Sequence, residues 1–326
     1  MKNIAIAGAS GAVGQAMLQV VKERKLPFEN LYLFASARSA GKKVEFNGKT
    51  LTIEELTPES FDRGIDIALF SAGGGISKEY APIAAKKGCV VIDNSSAWRM
   101  EPDVPLVVPE VNPKDIWEHK GIIANPNCST IQAVVALAPL HKVYGIRRVI
   151  YTTFQSVSGA GYKGMEDLER TARGEAPQHF PHPIAGNCIP HIDAFGENGY
   201  TFEEIKMINE TRKILRAPEI QITATTVRVP VFVGHSESVN ITLDKSFELS
   251  DIRRILEEAP GIMVQDDVEN KVYPTPRETA GTDPVYVGRI RRDFSAENSL
   301  NLWVVADNVR KGAATNAVQI TELLLA

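Results

Sequence analysis

Apolar positions in the first third of the chain come in short continuous blocks, separated by stretches with helical spacing. Asn3 to Ala7, Leu31 to Ala35, Ile65 to Phe70 and Cys89 to Ile92 are runs of the kind that strands buried on both faces require. Ala12 to Glu23 and Ser77 to Lys87 carry helical periodicity between them. Val44 to Phe46 and Lys49 to Ile53 flank Asn47-Gly48, a two-residue hairpin signal. This strand-helix rhythm predicts a doubly wound parallel sheet.

The pattern changes after residue 127. Ile131 to Val143 is an apolar periodic segment, and Arg148 to Ser156 is a long β-rich run. Glu203 to Leu215 reads as an amphipathic helix, and Ile220 to Val233, Ser238 to Leu243, Val285 to Ile290 and Leu300 to Ala306 read as strands. Few helices separate them, which predicts a mixed, largely antiparallel α+β domain. Ala313 to Leu325 forms a last helix, expected to return to the first domain. Arg173 to Gly199, rich in Gly, Pro and His, reads as a long ordered loop. The predicted division is 1–127 plus 309–326 for a nucleotide-binding domain and 128–308 for a second domain.

A chain of 326 residues exceeds what one small core needs, in keeping with two domains. Its 36 basic and 40 acidic residues leave a net charge of −4, with no basic excess for nucleic acid or an acidic membrane surface. No apolar run approaches the roughly 18 residues of a membrane span. The opening Met-Lys-Asn-Ile-Ala-Ile-Ala-Gly reads as a first strand rather than a signal peptide. Three cysteines, Cys89, Cys128 and Cys188, make a disulfide framework improbable and point to a reducing, cytoplasmic setting.

Gly8-Ala9-Ser10-Gly11-Ala12-Val13-Gly14 follows the first strand and opens a helix with G-x-x-G-x-x-G spacing. Glycines there allow a tight turn and close backbone approach, and the helix start accepts a pyrophosphate. An NAD site wants a carboxylate at the end of the second strand for the ribose 2′-hydroxyl. This chain has Ser36, Arg38 and Ser39, with Lys42 and Lys43 close behind, which suits the 2′-phosphate of NADP. The plain alternative is that Arg38 is a solvated loop cation.

Asn127-Cys128-Ser129-Thr130 runs straight into an apolar helix. A thiol at a helix start is biased toward thiolate by the free amides and the dipole, and a thiolate there suits attack on an acyl or aldehyde carbon. The alternative, a buried inert cysteine, conflicts with the polar surroundings. Of six histidines, His235 stands out between strand-like runs as a base for Cys128, and Arg228, seven residues earlier, is a carboxylate-binding type. His179, His182, Cys188 and His191 do not match a zinc signature, and no metal is expected.

Six motifs in order give a more specific reading. They are the Gly8 to Gly14 loop, Asn-Pro-Asn-Cys-Ser-Thr, Phe154 to Gly161, Glu203 to Met207, Arg228 to His235, and Asp307 to Ala314. Essentially end to end, the chain resembles the aspartate-β-semialdehyde dehydrogenases, nearest to the bacterial branch without long insertions. The resemblance implies NADP-dependent reduction of L-aspartyl 4-phosphate to L-aspartate 4-semialdehyde, in lysine, threonine and methionine biosynthesis, by a homodimer. It implies Cys128 as the nucleophile, His235 as acid/base and Gln155 as an orienting group. Arg228 would clamp the substrate carboxylate, Glu203 would meet its ammonium, and Arg99, Asn127 and Lys206 would hold phosphate. Ser158, Gly159 and Asn308 would contact the nicotinamide half of the cofactor. By themselves, Arg99 and Lys206 are equally plain surface charges, and Glu203 a helix-start carboxylate. The competing readings are an N-acetyl-γ-glutamyl-phosphate reductase, a glyceraldehyde-3-phosphate dehydrogenase and a non-catalytic paralogue.

Overall fold

The computed structural model describes residues 1–326, which divide into two compact units: Met1–Pro126 with Ala313–Ala326, and Asn127–Gly312. In chain order the first unit contains β1 (Ile4–Ala7), α1 (Ala12–Glu23), β2 (Leu31–Ala35), β3 (Lys43–Phe46), β4 (Lys49–Glu55), β5 (Ile67–Phe70), α2 (Gly74–Lys86), β6 (Val90–Asp93) and β7 (Ile122–Ala124). The second contains α3 (Cys128–Tyr144), β8 (Ile146–Gln155), α4 (Tyr162–Ala172), α5 (Phe202–Leu215), β9 (Gln221–Arg228), β10 (His235–Leu243), α6 (Leu249–Glu258), β11 (Ile262–Val264), α7 (Pro276–Thr279), β12 (Val285–Arg292) and β13 (Ser299–Ala306). A last helix, α8 (Thr315–Leu325), belongs to the first unit.

The first sheet has the order β3-β4-β2-β1-β5-β6-β7 and is parallel except for the β3–β4 hairpin. The turn of that hairpin is Asn47-Gly48, both at positive φ, the backbone that a tight two-residue connection demands. Strand order reverses between β1 and β5, and the carboxyl ends of strands at such a switch point form a ligand crevice. Met17 and Val21 of α1, Ile6 and Leu33 of the sheet, and Val318 of α8 share one buried cluster.

The second sheet has the order β11-β12-β13-β10-β8-β9. Its inner pairings are antiparallel, while β8–β9 and β11–β12 at the two edges are parallel. The strand expected over Ile220 to Val233 stops at Arg228. Val229 still donates its N–H to the Gln155 carbonyl, but from Pro230, which has no N–H to donate, to Gly234, which turns at φ +94°, the regular ladder is lost. Helices α4 and α6 were not foreseen: both are amphipathic with few buried positions, so their apolar signal is sparse. The loop over 173–199 is ordered by Asp167, whose carboxylate accepts the N–H groups of Gln178, His179 and Phe180 at 2.7–2.8 Å. No helix is long and apolar enough to cross a membrane.

Candidate active site

At the switch point of the first sheet, Gly8 takes φ +89° immediately after β1. A Cβ there would collide with the Ser71 carbonyl oxygen beyond β5, and one at Gly14 would collide with Gly8. Gly11 caps α1 without a side-chain bond, and no acidic residue stands in the first turn. The loop Gly8, Ser10, Gly11, Ala12, Val13 and Gly14 is thus a backbone cradle with amide donors, fit for a pyrophosphate. Beyond β2, Ser36 and Arg38 are exposed on a short 3₁₀ turn and Ser39 is buried. That turn holds a cation and hydroxyls but no carboxylate, the donor set that a 2′-phosphate requires.

In the second unit Asn127 is the N-cap of α3. Its Oδ1 accepts from the amides of Ser129 and Thr130 at 3.0 and 3.2 Å, and its own N–H donates to Glu210 Oε2 at 2.6 Å. This cap places Cys128 at the first helical position, partly exposed. Gly312 makes room: a Cβ on it would sit 2.8 Å from that of Cys128. The other thiols differ. Cys89 is buried, with its thiol pushed up to about 12 by desolvation, and Cys188 is exposed.

Cys128 Sγ lies 3.3 Å from His235 Nε2. The backbone N–H of Ser156 donates to His235 Nδ1 at 3.0 Å. A backbone N–H only donates, so Nδ1 is an acceptor and the neutral ring carries its hydrogen on Nε2, toward the sulfur. Burial, and then the nearby Arg228 charge, hold His235 well below its ordinary 6.5, against a smaller opposing effect from the Gly234 backbone. The resting ring is therefore neutral, with its Nε2–H directed at the Cys128 sulfur. NMR of the His235 ring should show no titration between pH 7.5 and 6; a protonation step near 6.5 would contradict this arrangement. The sign for stability follows. The unfolded chain takes up this proton below pH 6.5 and the folded one does not, so the contribution of His235 is complete above 6.5 and is lost as pH falls below it.

Two buried charged side chains, Arg228 and Glu203, act on one another electrostatically, and Cys128 also acts on Arg228. Arg228 ends β9, is buried, and donates from Nη1 to the Ser156 carbonyl at 2.6 Å. Its Nε has no partner. Desolvation lowers its pKa, while Glu203 and Cys128 act in the other direction. Glu203 Oε1 accepts from Asn127 Nδ2 at 2.9 Å and Gln155 Nε2 at 3.1 Å. Lys206 Nζ bridges Glu203 Oε2 at 3.3 Å and Asp193 Oδ2 at 2.6 Å. Glu203 and Glu204 both stand in the first turn of α5; the capping box with Thr201 is made by Glu204, which also accepts from the Thr226 amide. Glu203 is left to face Gln155 and Asn127.

Asn308 Oδ1 accepts from Ser156 Oγ, Ser158 Oγ and the Gly234 amide at 2.9–3.2 Å, tying together the segments around His235. Gly159 has no room for a side chain, since a Cβ would lie 2.8 Å from Arg228 Nη1 and 3.3 Å from the His235 ring. The second unit thus brings together Cys128, His235, Gln155, Arg228, Glu203, Asn127, Lys206, Ser158, Gly159 and Asn308. Arg99 belongs to the first unit, where it is buried and donates to the carbonyls of Asn125 and Asn94 at 3.0 Å. Sequence reasoning assigned no role to Ser156 and Gly312, although both lie in motifs it singled out, or to Glu210, which carries no distinctive local signal. No three His, Cys, Asp or Glu side chains converge as metal ligands. Within the candidate cluster, His191 stacks on Phe195 and His179 meets Phe180 edge-on.

Comparison with known proteins meets this geometry from outside. Residues 3–119 match the family model described as semialdehyde dehydrogenase, NAD binding domain, and residues 137–311 match semialdehyde dehydrogenase, dimerisation domain. An aspartate-semialdehyde dehydrogenase of Aquifex aeolicus is 56% identical over 99% of this chain and 97% of its own length. The chain belongs to the aspartate-semialdehyde dehydrogenase family. Among solved structures, aspartate semialdehyde dehydrogenase II of Vibrio cholerae, complexed with ASA, superposes with a TM-score of 0.95 at 49% identity, covering 100% of this chain and 98% of that one. An aspartate semialdehyde dehydrogenase of Candida albicans with NADP gives a TM-score of 0.79 at 28% identity, covering 100% and 99%. Within the aspartate-semialdehyde dehydrogenase family the spatial arrangement has a chemical sense: thiol, imidazole and a buried Arg/Glu pair surround one point.

Proposed function

We propose that the chain reduces L-aspartyl 4-phosphate to L-aspartate 4-semialdehyde with NADPH, through an acyl thioester on Cys128. The observation that carries this reading is that Arg228 and Glu203, both buried, stand with His235 around the partly exposed Cys128. An α-amino acid bears one carboxylate and one ammonium, and this pair complements both.

Cys128 Sγ attacks the acyl carbon and expels phosphate, splitting one hard displacement into two easier steps. His235 Nε2–H stabilises the thiolate before attack and then the oxyanion of each tetrahedral species. Gln155 orients the acyl group, and Arg228 with Glu203 fixes the amino-acid end. Arg99, Asn127 and Lys206 receive phosphate, and for Lys206 this means exchanging part of its contact with Asp193. The Gly8 to Gly14 loop with Ser36, Arg38 and Ser39 would hold the adenosine half of NADP, and Ser158, Gly159 and Asn308 would contact its nicotinamide half. When bound, the nicotinamide supplies the hydride that reduces the thioester carbon. The resulting thiohemiacetal collapses to aldehyde and regenerates the thiolate.

The unit formed by the chain start and α8 is the NADP-binding domain, and the unit after Asn127 serves catalysis and homodimer assembly. Three unpaired cysteines suit a reducing, cytoplasmic location. The product stands at the branch toward lysine, threonine and methionine. An N-acetyl-γ-glutamyl-phosphate reductase would meet an acetylated amine, which brings no ammonium to Glu203. The discriminating assay supplies phosphate and NADP+ with either aspartate semialdehyde or N-acetylglutamate semialdehyde. Turnover of the first at least about a hundredfold over the second is the expected result, the scale of rejecting a substrate that leaves a buried charge unpaired. Preference for the acetylated substrate would refute the assignment.

A further inference from the structure

The catalytic residues of the second sheet lie in one row across its strands. Gln155 on β8 pairs with Arg228 on β9, and the β8–β10 ladder carried one residue on sets His235 beside Gln155. Side chains alternate along a strand, so residues two positions earlier on β8 and β9 and two later on β10 share this face. The register places them side by side: Thr226 pairs with Thr153, Thr153 with Glu237, and Glu237 with Val304. The next row down, Ala224, Tyr151, Val239 and Leu302, is ordinary core.

Glu237 is anomalous in the middle row. It is 0% exposed, and neither carboxyl oxygen has a hydrogen-bond partner. Thr226 Oγ1 beside Thr153 is also without one. A carboxylate in that place would lose its hydration with no cation or donor to replace it, so the group is a neutral acid. Burial and the charge of Glu203 both act in that direction. An ionised Glu237 would set a second negative charge near Glu203 and disfavour the Cys128 thiolate.

A neutral acid both donates and accepts. Thr153, directly across from it, accepts from Gln155 Nε2 at 3.3 Å, and the same amide nitrogen donates to Glu203 at 3.1 Å. Cβ atoms of directly opposed residues are only about 4.5–5.5 Å apart, so the shape of the residue at 237 bears on where the Thr153 side chain sits. We infer that Glu237 is a positioning residue for this reaction: a neutral carboxylic acid that fills the place across the ladder from the Thr153 side chain and so holds the Gln155 carboxamide beside the nucleophile.

The inference rests on the proposed role of Gln155, but its first test does not. The infrared spectrum of the native protein near pH 8 should contain a protonated carboxyl C=O band that Glu237→Gln removes. Identical spectra would overturn the proposal whatever the enzyme's substrate. In the second test, Glu237→Leu lowers kcat for aspartate semialdehyde about tenfold or more, with KM changed less than about twofold, because a shorter, branched side chain lets Thr153 and the Gln155 amide bonded to it shift. Glu237→Gln, which keeps the shape and a neutral acceptor, recovers most of that loss. Native kcat in Glu237→Leu, or a Gln variant as impaired as the Leu variant at equal thermal stability, would overturn it. If Glu237→Leu does not fold, the infrared comparison and the Gln variant decide alone.

Discussion

Cys128→Ala lowers phosphate-dependent NADP+ reduction by aspartate semialdehyde about ten-thousandfold or more, while NADP still binds. The size of the effect follows from what the thiolate does. It is the only group in the cluster able to form the acyl intermediate, and a neutral His235 cannot replace it. Alanine keeps the helix start, because the cap is the Asn127 side chain bonded to the amides of Ser129 and Thr130. Folding and the glycine cradle at β1 should thus be untouched. Thermal unfolding and NADP titration on the variant check that part, and steady-state rates check the first. A variant turning over at even a few per cent of the native rate would end the nucleophile assignment.

Arg228→Leu gives the second large effect, a loss of about a hundredfold to a few thousandfold in kcat/KM for the semialdehyde, with NADP affinity preserved. Removing one member of a buried charge pair costs about 3–5 kcal/mol, because the other charge is left uncompensated. Here the substrate carboxylate would be the stranded charge, having lost its clamp, while Glu203 keeps Lys206 at 3.3 Å. Arg228→Lys should recover little. The guanidinium has a second task, donating to the Ser156 carbonyl at 2.6 Å, and an ammonium does not reproduce its planar fork. Native kcat/KM in the Leu variant would remove Arg228 from the site.

Much of the first unit was legible because its cues are local. Continuous apolar runs mark strands buried on both faces, and Asn47-Gly48 permits positive φ at both central positions of the hairpin. The thiol at a helix start was legible for the same reason, since cap and nucleophile are adjacent in the chain. Helices α4 and α6 were not, because each buries only a narrow stripe. The edge strand β9 was read too long, since its apolar run continues past the point where Pro230 leaves the ladder.

By itself the sequence determined which chemistry was present: a thiol at a helix mouth, glycines after a first strand, a cation instead of a carboxylate after the second, and Arg228 and His235 at the ends of β-rich runs. Each of these signals spans a few neighbouring residues, where backbone geometry and residue type act directly. Only the tertiary structure decided what those groups face. It set Cys128 3.3 Å from His235 across 107 residues, made Ser156 the group that fixes the imidazole tautomer, and gave the capping role to Glu204 so that Glu203 could meet Gln155. It also placed an acid without partners, Glu237, under the catalytic row. Sheet register and burial produce these relations, and both arise from pairing between segments distant in the chain, which no local pattern of residues encodes.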